Sequence, residues 1–225
     1  MQRLHEGIHH FQANYFAKNR ELFAELAEGQ RPETLFITCA DSRVVPNLIT
    51  NTQPGELFIV RNVGNIVPDA QRGVIGGVAA AIEYAVQVLK VQSIIVCGHT
   101  GCGALDAMLN PGNVAHLPFV KRWLSEARGL PALVAERYGH LDPQARMTAA
   151  VQENVLLQLE NLRTFDFLAK GLDEGTLTIS GWVYDIASGR VFDYDPHVEQ
   201  FLELGEPEGG RKPLSTFPPP VTAVR

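Results

Sequence analysis

Two short stretches of the sequence contain the residue types that bind metal ions and move protons. The first places a thiol, a carboxylate and a guanidinium close together, as Cys39, Asp41 and Arg43. The second contains His99 and Cys102, which are separated by two residues. Two cysteines and one histidine are an attested ligand set for catalytic zinc, which keeps a fourth position open for water or substrate. Cys39, His99 and Cys102 could therefore share one ion if the two stretches meet in the fold.

Each stretch directly follows a short apolar segment that predicts a buried strand. Leu35–Thr38 precedes the first stretch, and Ser93–Val96 precedes the second. Ligands of open α/β sheets bind where the parallel strands end. If the two strands are neighbours in such a sheet, both stretches lie at one edge and form a single site.

Other uses of these residues fit the spacing less well. A phosphatase-type cysteine nucleophile requires a longer spacing than the three residues that separate Cys39 from Arg43. A thioredoxin-like redox pair requires Cys-x-x-Cys, which does not occur in the chain. The third cysteine, Cys97, lies inside the second strand, and this position favours a buried apolar thiol over a metal ligand.

The rest of the chain alternates strands and helices. Predicted strands occupy 33–39, 56–61 and 91–97, and predicted helices occupy 73–90 and the region 116–170. This alternation is typical of a parallel sheet that helices cover on both faces. Two further strands at 176–186 and 191–194 form a hairpin. We therefore predict an α/β protein with a mainly parallel central sheet flanked by helices, a late hairpin strand at its edge and an N-terminal helical arm.

Length and composition are those of a single globular domain. The 225 residues are 45% hydrophobic and 20% charged, and the net charge of −6 argues against nucleic acid or an anionic membrane as a partner. No apolar segment is long enough to span a membrane. Three cysteines make no disulfide framework, so we expect a reducing compartment, the cytoplasm.

The two ends of the chain differ from the middle. The predicted catalytic domain covers 1–204, and over about 1–30 its aromatic and aliphatic side chains recur at helical spacing, as expected for an arm that packs on its own fold or on a partner subunit. The tail, 205–225, is rich in proline and glycine and has no periodicity. We expect this tail to be disordered or to pack over a neighbour.

Four motifs follow one another along the chain: Cys39-x-Asp41-Ser42-Arg43, Pro54-Gly55-Glu56 leading into Arg61-Asn62, Ile82-Glu83-Tyr84-Ala85, and Gly98-His99-x-x-Cys102-Gly103. This ordered combination is highly specific, and over roughly residues 1–200 it resembles the β-class carbonic anhydrases, zinc enzymes that interconvert carbon dioxide and bicarbonate. The resemblance implies zinc-dependent, reversible hydration of carbon dioxide by attack of a zinc-bound hydroxide.

The resemblance also implies a role for each chemical side chain. Cys39, His99 and Cys102 would be the ligands of one Zn²⁺ per chain, with Asp41 and Arg43 as the paired dyad beside the metal. A free carboxylate would compete with water for the open position of the zinc. A charge-assisted pair with Arg43 would restrain Asp41 and let it accept a hydrogen bond from the hydroxide. The family occurs with this aspartate bound or released, and the sequence leaves both arrangements open.

A small apolar substrate pocket and self-association are further implications of the resemblance. The matching pocket positions are Gln30, Phe58, Val63, Tyr84 and Gly103. The family builds part of this pocket across a dimer interface, so we expect dimers or multiples of dimers. Carbon dioxide and bicarbonate are the expected small-molecule partners.

Two other functions remain open at this stage. The same scaffold could hydrolyse a sulfur analogue of carbon dioxide, such as carbon disulfide or carbonyl sulfide. Alternatively, the zinc could be purely structural in a binding protein. Structural zinc sites are normally closed, and no fourth Cys or His ligand is evident, so only a permanently bound Asp41 would close this one.

Overall fold

A six-stranded mixed sheet forms the centre of the protein, whose computed structural model describes residues 1–73, 76–205 and 210–215. The strands are β1 Thr34–Cys39, β2 Leu57–Asn62, β3 Ser93–His99, β4 Thr178–Tyr184, β5 Val191–Asp195 and β6 Gln200–Glu203. They lie in the order β2-β1-β3-β4-β5-β6. The first four are parallel, and β5 and β6 are antiparallel to their neighbours. The predicted α/β class is confirmed, while β6, which was not predicted, forms the edge beyond the hairpin strand.

The pairing of β1 with β3 decides where the chemical residues lie. The two strands are parallel neighbours, with Thr38 opposite Cys97. On its other side β1 pairs with β2, and Cys39 lies opposite Asn62. Because parallel strands end at one edge, the loops that follow β1, β2 and β3 all meet there.

Nine α-helices lie in the described part of the chain. They are α1 Gln2–His10, α2 Arg20–Glu28, α3 Pro46–Thr50, α4 Gly77–Glu83, α5 Gly103–Leu109, α6 Pro118–Leu124, α7 Gly129–Tyr138, α8 Pro143–Arg163 and α9 Asp166–Asp173. π-Helical segments at Phe11–Phe16 and Tyr84–Val88 extend α1 and α4, and short 3₁₀ turns lie at Ala70–Arg72, Pro111–Val114 and Ser125–Ala127.

The region 116–170, predicted as helical throughout, is divided into four helices. Two of the starts carry proline, which fits the first turn of a helix but not its interior: Pro118 begins α6 and Pro143 begins α8. The side chain of Asp142 caps α8 by accepting hydrogen bonds from the backbone N–H groups of Gln144 and Ala145, both at 3.0 Å. None of the described helices combines the length and apolarity of a membrane-spanning segment.

Helix α8 packs directly on β3 and β4, and two glycines make this possible. A Cβ atom on Gly98 or on Gly181 would lie 2.8 Å from a methyl group of Val155. Both glycines therefore leave the space into which Val155 fits, and the buried face of α8 closes the core above the middle of the sheet.

Buried amide side chains of α8 also hold the loop that follows β2. Asn154 donates to the carbonyl of Gly64 at 3.0 Å. Gln158 accepts from the backbone N–H of Val67 at 2.8 Å, and Asn161 donates to the carbonyl of Val67 at 2.8 Å. Because buried polar groups are costly unless they are paired, these bonds fix the course of the loop beside the strand ends.

The N-terminal arm contributes no buried residue to the core. Its aromatic rings contact one another: Phe16 and Phe23 have ring centroids 4.9 Å apart, and Phe11 meets Phe23 at 5.8 Å. Phe11 and Phe16 nevertheless remain exposed. An exposed aromatic face of this kind is the surface expected of an arm that packs on a second subunit.

Part of the predicted tail lies outside the described residues, namely 206–209 and 216–225. The segment 210–215 pairs with β6, because Leu214 donates its backbone N–H to the carbonyl of Phe201 at 2.9 Å. The hydroxyl of Ser215 then donates to the side chain of Gln152 on α8 at 3.3 Å. Leu214 and Ser215 of the predicted tail therefore pack on the domain.

The contact between α8 and β4 gives a test of this packing. A Cβ on Gly181 would lie 2.8 Å from Val155 and 3.0 Å from Leu159. We expect Gly181→Ala to lower the free energy of unfolding, measured in urea, by about 1–3 kcal/mol, since overpacking strains a tight core. At Gly112 a Cβ would meet no atom within 4 Å, so Gly112→Ala should change stability by less than about 0.5 kcal/mol. Equal stabilities of the two variants would contradict the proposed close packing.

Candidate metal centre

Three soft ligand atoms meet at the carboxyl edge of the sheet. Cys39 ends β1, His99 ends β3, and Cys102 is the residue that precedes α5. Gly101 allows the turn between the last two because its φ of +65° is in the left-handed region. The Sγ atoms of Cys39 and Cys102 lie 3.9 Å apart, and all three ligand atoms lie within 4.8 Å of one another, in buried positions.

The His99 imidazole presents one nitrogen to this group. Its Nδ1 lies 3.0 Å from the carbonyl oxygen of Thr100, which can only accept, so Nδ1 carries the proton. Its Nε2 is fully buried and has no hydrogen-bond partner among the described residues. A buried, unpaired polar atom is rare in folded proteins. An ion held with the two thiols would satisfy this nitrogen, so the residues fit a metal ligand set.

In the absence of a metal, the pKa values of the two thiols in the group are shifted in opposite directions. The hydrogen bond from Cys102, assisted by the backbone N–H of Gly64, lowers the pKa of Cys39 to about 4. The same hydrogen bond and burial raise the pKa of Cys102. Because two thiolates so close together repel one another, only one ionises until a cation arrives.

The carboxylate of Asp41 is held beside the group by Arg43. Arg43 Nε donates to Oδ1 at 2.9 Å and Nη2 donates to Oδ2 at 2.7 Å. These bonds hold the pKa of Asp41 well below its ordinary value. Arg43 Nη2 also donates to the carbonyl of Gly101 at 3.1 Å, while Asp41 Oδ2 lies 3.8 Å from His99 Nε2. Asp41 is therefore paired with Arg43, next to the ligands, in this structure.

A second arginine, Arg61, holds the backbone of the same loop. Its Nη2 donates to the carbonyl of Asp41 at 2.7 Å, and its Nε donates to the carbonyl of Cys39 at 3.2 Å. In the sequence, Arg61 stands out only as part of a motif. Its position at the end of a strand was visible in the sequence, but the two carbonyl groups that it binds were not.

The third cysteine lies apart from the metal-binding group. Cys97 is fully buried in β3, and its S–H donates to the carbonyl of Gly98 at 3.4 Å. Burial raises the pKa of Cys97 to about 12. The structure thus places it as a neutral buried thiol.

The predicted pocket residues divide into two sets. Val63 lies in the turn after β2, and Gly103 begins α5, so both are close in the chain to ligand-bearing segments. Phe58 and Tyr84 contact each other, with ring centroids 6.0 Å apart, but they lie away from the metal-binding group. Phe58 lies opposite Leu35 of β1. Leu35 is four residues before Cys39, which is about 13 Å along the strand.

The fifth pocket residue, Gln30, is also distant from the ligands. It is exposed and lies between α2 and the amino end of β1, whereas Cys39 lies at the carboxyl end of that strand. A single chain therefore does not bring Gln30, Phe58 and Tyr84 together with its own metal-binding group.

Comparisons with known proteins agree with this geometry. The family profile described as Carbonic anhydrase matches residues 34–191. A carbonic anhydrase of Pseudomonas aeruginosa is 44% identical over 206 residues, which are 92% of this chain and 93% of that protein. The structure of the β-carbonic anhydrase CcaA superposes with a TM-score of 0.87 at 44% identity, covering 89% of this chain and 98% of its own. Structures of two tetrameric β-carbonic anhydrases from Sordaria macrospora give a TM-score of 0.75 at 30% identity, with coverages of 86% and 97%.

These observations identify the protein at two levels. A buried group of two thiols and one imidazole, at the carboxyl edge of a mixed sheet, is the centre of a metal-dependent α/β enzyme. The family profile spans well over half of the chain, and the relatives align along most of it, so the chain belongs to the β-class carbonic anhydrases. Its reaction is the reversible hydration of carbon dioxide to bicarbonate and a proton. Neither a sulfur-analogue hydrolase nor a purely structural zinc protein is favoured.

The unequal thiols can be tested in the metal-free protein. We expect one thiolate per chain at neutral pH, visible by its ultraviolet absorption and lost on acidification through about pH 4, the lowered pKa of Cys39. Cys39→Ser should abolish this band. Cys97→Ser is the matched control and should leave it intact, because the pKa of Cys97 is raised to about 12. A thiolate band that disappears in Cys97→Ser would contradict the assignment.

Proposed function

We propose that Cys39, His99 and Cys102 hold one Zn²⁺ ion and that carbon dioxide is hydrated beside it. The observation that carries this proposal is the convergence of three buried ligand atoms within 4.8 Å, one of them the unpaired Nε2 of His99. When bound, the ion supplies the Lewis acidity that makes water a nucleophile near neutral pH. Two soft thiolates and an imidazole favour zinc over magnesium or calcium.

Asp41 is the proposed hydrogen-bond acceptor for the O–H group of the reacting oxygen. Its Oδ2 lies 3.8 Å from His99 Nε2, close to the space that the ligands enclose. Arg43 binds both carboxylate oxygens, which restrains Asp41 from turning its free lone pairs to the metal. Held in this way, Asp41 can accept a hydrogen bond and orient the oxygen lone pair of the water towards carbon dioxide.

Carbon dioxide itself is apolar and needs a small dry space beside this oxygen. We propose that Val63 lines that space and that Gly103 contributes its backbone N–H. Gly103 begins α5, so its N–H has no acceptor within the helix and is available to a substrate oxygen. The loop that carries Val63 is anchored by a hydrogen bond of 2.7 Å from Trp123 Nε1 to the Val63 carbonyl.

The remaining pocket residues suggest that a second subunit completes the site. Gln30, Phe58 and Tyr84 lie away from the metal-binding group of their own chain, and Tyr84 is exposed although it is a large aromatic residue. We therefore propose that they serve the centre of a partner in a dimer or a multiple of dimers. The exposed aromatic arm and the tetrameric relatives support this assembly. Three free cysteines favour a reducing compartment, the cytoplasm.

The decisive experiment is stopped-flow hydration of carbon dioxide from pH 6 to pH 9, on protein of measured zinc content. We expect one zinc per chain and a rate that rises towards mildly alkaline pH, because two thiolates neutralise the ion and weaken it as a Lewis acid. Cys102→Ser removes a ligand itself, so it should lower the rate by at least the roughly 10- to 100-fold that loss of an outer-shell partner costs, and it should reduce the zinc content.

Cys97→Ser provides the control for removing a buried thiol, and it should keep both zinc and activity. Wild-type protein that carries zinc but does not hydrate carbon dioxide would overturn the proposed function. A rate already constant from pH 6 upward would contradict the expected weakness of the Lewis acid.

The role of Arg43 has a separate test. Arg43→Ala removes both side-chain hydrogen bonds to the Asp41 carboxylate, and it leaves the bond from the backbone N–H of residue 43 to Oδ1 and all three ligands in place. We expect it to keep one zinc per chain and to lose about 100-fold in turnover, since misplacing a group that orients the reacting oxygen can cost about that much. Arg72→Ala, which removes an arginine paired with Asp69 away from the centre, serves as the control. Turnover close to that of the wild type in Arg43→Ala would contradict the restraining role.

A further inference from the structure

Thr100, the residue after the His99 ligand, is tied to the hairpin turn between β4 and β5. Its backbone N–H donates to the carbonyl of Tyr184 at 3.0 Å. Its hydroxyl donates to Asp185 Oδ1 at 2.9 Å and accepts from the backbone N–H of Ile186 at 3.1 Å. Three bonds from one residue to one turn leave the Thr100 peptide little freedom.

The remaining polar group of Thr100 contacts the metal-binding histidine. Its carbonyl oxygen lies 3.0 Å from Nδ1 of His99 and accepts the proton on that nitrogen. This bond fixes the tautomer that leaves a lone pair on Nε2, the atom aimed at the two thiols. The direction of the Thr100 carbonyl therefore sets both the tautomer and the tilt of the ring.

Asp185 is itself held in place on the other side of this contact. Its Oδ2 accepts a hydrogen bond from the hydroxyl of Ser188, and its backbone N–H donates to the carbonyl of Arg190 at 2.8 Å. The turn is thus cross-linked before it binds Thr100. A rigid anchor of this kind can resist rotation of the Thr100 peptide when the histidine ring moves.

We propose that Thr100, anchored by Asp185, is a positioning residue that fixes the orientation and tautomer of His99 for the metal. The inference rests on the zinc site proposed above, and it assigns a task to two residues that are not ligands. Partners that bind the second nitrogen of a metal-binding histidine typically change metal affinity 10- to 100-fold when they are removed. Here that partner is the backbone carbonyl of Thr100, which a substitution cannot remove. The Thr100 hydroxyl, which holds this peptide in place, can be removed and is therefore the group to test.

The test compares Thr100→Val with Thr100→Ser in the full-length chain. Valine has the shape of threonine but cannot bond to Asp185 or Ile186, whereas serine keeps the hydroxyl. We measure zinc affinity by competition with a chelator, and we expect a loss of about 10-fold for Thr100→Val and recovery for Thr100→Ser. Ser188→Ala is the comparison variant, because it loosens Asp185 without removing a bond of Thr100, and it should lower zinc affinity clearly less than Thr100→Val does.

A second readout requires no metal. In ¹⁵N-histidine-labelled, metal-free protein with neutral imidazole, the wild type should show His99 protonated at Nδ1, and Thr100→Val should show both tautomers. If Thr100→Val does not fold, Asp185→Ala removes the same hydrogen bond from the other side and takes its place.

The outcomes distinguish the inference from the zinc proposal. Unchanged zinc affinity together with an unchanged tautomer in the folded variant would overturn the positioning role. Wild-type protein without zinc affinity would instead overturn the proposed zinc site, while the tautomer measurement would still decide what Thr100 does. A stability loss shared equally by Thr100→Val and Ser188→Ala, with equal zinc affinity, would show that the contact only stabilises the turn.

Discussion

The parallel pairing of β1 with β3 is the interaction on which the site depends. It brings Cys39 and His99, which are distant in the chain, to the same edge of the sheet. Successive side chains of a strand point to opposite faces, so a slip of one residue would turn one ligand away from the others. The register is held between the strands by the buried Thr38 hydroxyl, which donates to the carbonyl of Cys97 at 2.8 Å. Ligand geometry is thus a consequence of strand register.

Helix α8 supports the same edge from one face of the sheet. The hydrogen bonds of Arg61 and Thr100 support it within the loops. Val155 packs against Gly98, the residue before the histidine ligand, and Asn154 holds Gly64, whose N–H faces the Cys39 thiolate. These contacts come from a helix far along the chain from either strand. The metal-binding group can therefore be rigid although all three of its residues belong to strand ends or a loop.

The grouping of Cys39 with His99 and the pairing of Asp41 with Arg43 could be predicted because their signals are local. Cys39 and His99 each come at the end of an apolar strand, and Arg43 lies two residues from its carboxylate. The supporting contacts could not be predicted in this way. Thr100 meets Asp185 across 85 residues of chain, and no pattern in the sequence marks two such residues as partners. Strand β6 was missed for a related reason, since four residues show too little alternation and its pairing depends on β5 and the segment 210–215.

Charge balance explains how such a centre can be buried and still suit its substrate. With a divalent ion present, two thiolates and a neutral His99 leave no net charge on the ligand set, and Asp41 and Arg43 neutralise each other beside it. Burying an uncompensated charge costs several kcal/mol, so this balance makes the buried site compatible with a stable fold. A neutral centre accepts an apolar molecule such as carbon dioxide without having to desolvate a net charge. It also attracts bicarbonate less strongly than a net positive centre would, because the Coulomb attraction for an anion grows with the charge that it meets.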